Sequence, residues 1–232
     1  INEEIYGTDH PTYLLTYTNL AMVYGDLNFK EKEFDMSLQA LEINEKIHGK
    51  NHPNYAHALN NLAFLLFYDF ADYDWSLELL AESKNIHELI YGVEHPLYAN
   101  VISYFASFYH SKGDYDMALE YRKKSLKLHE KIYDKQHPNY ILEELNLAYL
   151  YSDLKDFKTS YSILLSILKT KISNVTKLEN SINQHLVINS YNNIFMYYEE
   201  LFNLSKRINT NSLIDDYDIL CFLRTLKIFF SI

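Results

Sequence analysis

The chain has 232 residues, 48% hydrophobic and 22% charged, which excludes disorder and supplies apolar material for a continuous core. Five Gly and four Pro are too few for the many hairpins of an all-β sandwich, so long helices are expected. A formal net charge of -10 repels a phosphate backbone, so no nucleic acid partner is expected.

The opening "INEEIYG" matches "INEKIHG" at 43–49, so residues 1–9 are expected to end the second (B) helix of a preceding unit, and the chain to be a fragment of a longer array. No basic segment leads into an apolar run and cleavage site, and the single cysteine, Cys221, makes no internal disulfide. An intracellular, cytoplasmic protein is expected.

From here one text recurs. "IYGTDHPTYLL", "IHGKNHPNYAH", "IYGVEHPLYAN" and "IYDKQHPNYIL" place His-Pro pairs at His10, His52, His95 and His137, spaced 42, 43 and 42. "NLA" at 19–21, 61–63 and 146–148 and "YFA" at 104–106 keep the same offset. A fixed period of this size marks copied structural units, here 10–51, 52–94, 95–136 and 137–178. Proline suits a first helical turn and pushes the residue before it out of the helical region, so His-Pro marks the start of an A helix.

The second halves, "FDMSLQALEINEKIHG", "YDWSLELLAESKNIHELIYG", "YDMALEYRKKSLKLHEKIYD" and "FKTSYSILLSILKTKI", carry apolar residues three and four apart, the period of an amphipathic B helix. Two A–B turns are expected to be distorted: the first, written "GDLNFKEKEF", and the second, which has one extra residue. After Ile172 the register breaks, but "SYNNIFMYY" still resembles "ALNNLAFLL", so 179–232 is read as a divergent fifth hairpin or cap with helices at 182–205 and 212–230. The apolar run "IDDYDILCFLRTLKIFFSI" is interrupted by Asp215, Asp216, Asp218, Arg224 and Lys227, so no membrane span is expected.

The repeated histidines are tempting ligands, but equivalent atoms of stacked hairpins stand about 8–10 Å apart, whereas one metal ion needs them within about 2 Å. A structural role at each helix start is expected instead, by capping or by packing. The pairs His87/His95 and His129/His137 are eight apart, not the four of a zinc-protease helix, and no phosphate loop or nucleophile elbow occurs. No catalytic, metal or cofactor residues are therefore expected, and the chain is read as non-enzymatic.

On "HPNYAHALNNLAFLL", "GDYDMALEYRKKSLKLHEKIY" and the linking "GxxHP", the units resemble tetratricopeptide repeats in the longer 42-residue form of kinesin light chains, over about residues 1–170. The resemblance implies an all-α, right-handed superhelical solenoid whose A helices line a concave groove. It places His57, Asn60, Phe64, Phe67 and Tyr68 of the second unit on that groove. Asn100, Ser103, Ser107 and His110 of the third unit, and Tyr149 and Ser152 of the fourth (with Leu142 and Leu145), join them.

Segments 12–27, 54–72, 97–111, 139–154 and 182–205 contain no Lys or Arg but carry Asp26, Asp69, Asp72, Glu143, Glu144, Asp153, Glu199 and Glu200. Burial excludes Lys and Arg from helices as a selected groove would, so the cause stays open. Either way, the groove is aromatic, amide-rich and neutral to acidic. An adaptor or scaffold is expected, holding a protein or peptide partner that is apolar or basic rather than acidic. The alternative is a structural spacer in a large cytoskeletal or motor assembly, docking by its edges and a basic B helix. That ridge carries Arg122, Lys123, Lys124, Lys127 and Lys131, with Lys135 beyond, and would face an acidic partner.

Overall fold

The computed structural model describes residues 11–178; the expected helix remnant at 1–9, His10 and the fifth hairpin at 182–230 lie outside them. Every regular element described is an α-helix, as expected. One unit, residues 1–132, holds α1 (Pro11–Asp26), α2 (Lys30–His48), α3 (Pro53–Asp69), α4 (Tyr73–Tyr91), α5 (Pro96–Lys112) and α6 (Tyr115–Ile132). A second unit, residues 133–232, holds α7 (Pro138–Asp153) and α8 (Phe157–Leu178). Within each unit, every helix packs on the next in the chain.

The His-Pro pairs start helices, and each described histidine caps its own. Proline at the first helical position keeps the preceding residue extended, which turns the imidazole back over the first turn. Nδ1 of His52, His95 and His137 accepts from the backbone N–H of Asn54, Leu97 and Asn139 at 3.1, 3.2 and 3.2 Å. Each ring also stacks on an aromatic or imidazole ring four residues earlier: His48, Tyr91 and Tyr133, with centroids 4.3, 4.2 and 4.0 Å away. Gly49 and Gly92 bridge helix to cap at φ 76 and ψ 166, and φ 80 and ψ 171, a region essentially reserved for glycine.

The A–B turns correct one sequence expectation. Asn28, Gly113 and Lys155 are left-handed, and the same two backbone bonds close each turn: Asn28 N to Gly25 O with Phe29 N to Tyr24 O, and their counterparts in the third and fourth units. The first turn is therefore undistorted, because a left-handed Asn serves where the third unit uses Gly. The second turn is widened: beyond left-handed Ala71, Asp72 N reaches back six residues to Leu66 O, which absorbs the extra residue. Where the first unit does depart is its next cap. Asp72, Asp114 and Asp156 each accept a backbone N–H of the following helix through Oδ1, whereas Phe29 stands at that place before α2 and offers no side-chain acceptor.

Those turns also reset the register of α2. In text "FDMS" at 34–37 resembles "YDWS" at 73–76, but helix starts and left-handed residues put Lys30 level with Tyr73. Glu33 then occupies the place of Ser76, Ala118 and Ser160, all 0% exposed. Asn44 likewise stands level with His87 and His129, so three successive B helices bury one polar side chain at a single position.

Stacking of hairpins supplies the core. Phe67 of α3 stacks on Phe108 of α5 with centroids 4.0 Å apart, and Phe64 meets Tyr104 and Phe108 edge-on at 4.8 and 5.1 Å. Ala63, Ala106 and Ala148 of the "NLA" and "YFA" signatures are fully buried. Arg122 contradicts its expected place on an exposed ridge: it is 3% exposed, and Nη2 donates to Ser107 Oγ at 3.0 Å. The cause is spacing, since Ala118, Arg122, Ser125 and His129 form the buried stripe of α6.

Two measurements check these assignments. Replacing His95 by Ala should cost about 1 kcal/mol of stability in urea titration, and His95→Asn should recover part of it, as expected for a helix cap. Burial, followed by the charges of His95 and His57, holds the His87 imidazole below its ordinary 6.5. The unfolded chain thus binds a proton the folded chain refuses, so stability is full above about pH 6.5 and falls as pH drops toward the folded value. Thermal midpoints should fall from pH 7.5 to about pH 5, less steeply in His87→Asn; an unchanged slope in that variant would assign the effect elsewhere.

Candidate functional site

A cleft of about 770 Å³ opens among α1, α2 and α3 of the first unit. Its walls follow helical spacing: Leu14, Leu15, Thr18, Ala21 and Met22 from α1, and His57, Asn61, Phe64 and Tyr68 from α3. The floor is one face of α2, formed by Glu33, Ser37, Ala40, Asn44 and His48. Leu15, Met22 and Tyr68 are 61, 63 and 55% exposed, so large apolar groups face the opening.

Charge gathers at one end. A Cβ on Gly25 would stand 2.5 Å from Glu33 Oε1, so the carboxylate lies close against α1 at this glycine. Lys30 Nζ pairs with Asp69 Oδ1 at 3.0 Å and more loosely with Glu33 Oε2 at 3.7 Å. The hydrogen bond to Asp69 raises the Lys30 ammonium above its ordinary value. Glu33 also rises above the carboxylate range, because burial outweighs the attraction of Lys30, and Asp69 and Asp26 add repulsion. The two shifts agree on one geometry: Lys30 serves Asp69 first and leaves Glu33 undercompensated.

Hydrogen bonding along the cleft is uneven. Thr18 donates to Leu14 O, Asn54 meets His48 and His52, and Asn61 meets His57. On the floor, Asn44 Nδ2 donates to Ala40 O, while the buried Asn44 Oδ1 and Glu33 Oε2 receive no hydrogen bond.

Of the groove residues expected from sequence, the structure brings His57, Phe64 and Tyr68 together on this cleft. Asn60 and Phe67 are buried outside its lining, one helical step aside, and Phe67 belongs to the stack on Phe108. Ser103 and Ser107 are occupied by Ser125 and Arg122 of α6, at 2.6 and 3.0 Å. Asn100 is half-buried, and His110 lies tilted against Tyr115. On α7, Tyr149 is 38% exposed and Ser152 half-buried. On the ridge, Lys123, Lys124 and Lys127 are exposed, and Lys131 pairs with Glu94 at 2.7 Å.

Sequence reasoning missed the floor: Glu33, Asn44 and the wall residue Asn61. The first two were legible only with the register of α2, and Asn61 only from the 57, 61, 64, 68 spacing. Among the described residues, no three His, Cys, Asp or Glu side chains form a metal-holding group, and no helix is long and apolar enough to cross a membrane.

Sequence profiles of the tetratricopeptide repeat match residues 14–54, 56–97 and 99–160. No curated protein sequence gives a significant match. Among solved structures, BtubC (BKLC) from P. vanneervenii superposes with TM-score 0.61 at 17% identity, covering 74% of this chain and 66% of that one, so this chain spans just under two thirds of its length. A candidate kinesin light chain of Podosopora anserina with nearly identical TPR-like repeats gives 0.59 at 17% identity, covering 90 and 99%. The apo form of RapI gives 0.55 at 15% identity, covering 92 and 84%. Likeness at these identities concerns the fold; the profile matches and the paired helices place this chain in the tetratricopeptide repeat family.

Proposed function

We propose that the chain is a non-enzymatic adaptor that holds a segment of a partner protein in the cleft of α1, α2 and α3. Tetratricopeptide repeats are protein–protein interaction scaffolds, and the observation that carries this reading is a wide cleft with exposed Leu15, Met22 and Tyr68 at its opening. Aromatic side chains on rigid helices supply contact area at little entropic cost, which makes Tyr68 and Phe64 the anchors. With no Lys or Arg on the described A-helix segments at 12–27, 54–72, 97–111 and 139–154, an acidic partner would meet no counter-charge there, so an apolar and basic segment is favoured. This activity requires no cofactor and suits a cytoplasmic protein.

The alternative, a spacer docked on an acidic surface of a cytoskeletal assembly, rests on Lys123, Lys124 and Lys127, exposed along α6. The two readings separate by mutation. Tyr68→Ala, at a residue 55% exposed whose ring also contacts Phe64, Phe67 and Phe108, should weaken peptide binding about tenfold, measured by fluorescence anisotropy, with helicity unchanged by circular dichroism. Phe64→Ala should weaken it as well. Binding that survives the Tyr68 change but is lost on Lys123→Glu with Lys124→Glu would favour the spacer.

A further inference from the structure

We propose that Glu33 and Asp69 form a cation-recognition subsite, occupied in the free protein by Lys30, and that a partner's arginine or lysine enters by displacing it. This rests on the adaptor reading above. The first observation is positional: where other B helices bury Ser76, Ala118 and Ser160, α2 carries a carboxylate, which lies against Gly25 of α1. Partly burying a charge where a small neutral residue fits costs stability, so a local break with the repeat pattern is where function is expected.

The second observation is independent of charge. The cleft floor contains two buried acceptors with no hydrogen bond, Glu33 Oε2 and Asn44 Oδ1, and Asn44 is 5% exposed. The other amides lining the cleft, Asn54 and Asn61, have partners in the free chain. These two acceptors take donors that a ligand can bring.

Lys30 only partly fills this need. Its ammonium lies 3.0 Å from Asp69 and 3.7 Å from Glu33, bridging α2 and α3. A guanidinium, with five donors in a planar fork, serves two carboxylates better than an ammonium does. Glu33 and Asn44 lie eleven residues apart on one face of α2, about 16 Å along its axis, a span that roughly five extended residues cover. A segment with its cationic side chain at Glu33 and Asp69 is thus long enough, with about five further residues, to run along the floor toward Asn44.

The test is selection of random twelve-residue peptides displayed against the full chain. Enriched peptides should carry Arg, or Lys, beside apolar residues. Their affinity should fall tenfold or more in Glu33→Gln and Asp69→Asn, fall with rising salt, and rise several-fold in Lys30→Met. Enrichment of acidic or neutral peptides would overturn the proposal, as would cationic peptides indifferent to Glu33→Gln and Asp69→Asn. Peptides that depend on Tyr68 but not on Glu33 would sink this subsite while the adaptor reading stands. A selection that enriches nothing would overturn both.

Discussion

Two antiparallel helices have more apolar surface than they can cover between them, and the remainder must meet another hairpin or stay in water. In the first unit this constraint is met where α3 faces α5. Phe67 lies flat on Phe108, Phe64 meets the edge of the same ring, and Phe105 of α5 stacks on Tyr121 of α6 at 5.1 Å. Each aromatic thus serves two helices, so removing one loosens a neighbour as well as its own hairpin. The fully buried alanines and serines matter for the same reason: each lets two helices approach where a larger side chain would hold them apart.

The α1–α2 hairpin is where this rule is broken. In the first unit a buried small residue becomes Glu33, the aspartate cap before the B helix becomes Phe29, and the leucine of the "NLA" signature, Leu20, is 38% exposed where Leu62 is fully buried. Of these, Glu33 lines the cleft where α1, α2 and α3 meet. A cavity with an apolar rim and unsatisfied acceptors beneath it has chemistry to offer a ligand.

Much of the fold was legible because it is repeated. Helix starts were fixed by His-Pro, since proline restricts the backbone locally and independently of packing. Wall residues were half legible: a four-residue step reached Phe64 and Tyr68, while Asn60 and Phe67 fell one step aside and are buried outside the lining. The floor was hidden because textual likeness aligned "FDMS" with "YDWS", whereas register is set by turn geometry, and a left-handed asparagine resembles no glycine in sequence. Arg122 was misplaced because a run of basic residues reads as a solvated ridge until the helical stripe is drawn through Ala118, Ser125 and His129.

The central claim is that no hairpin of the first unit holds its structure without its neighbour, and native-state hydrogen exchange on Phe108→Ala tests it most directly. Losing such a core ring costs about 3–5 kcal/mol, so amides of α3 and α5 should exchange faster together, by about 100-fold or more. Acceleration confined to α5, with α3 protected as in the parent chain, would show hairpins that stand alone and would contradict the account.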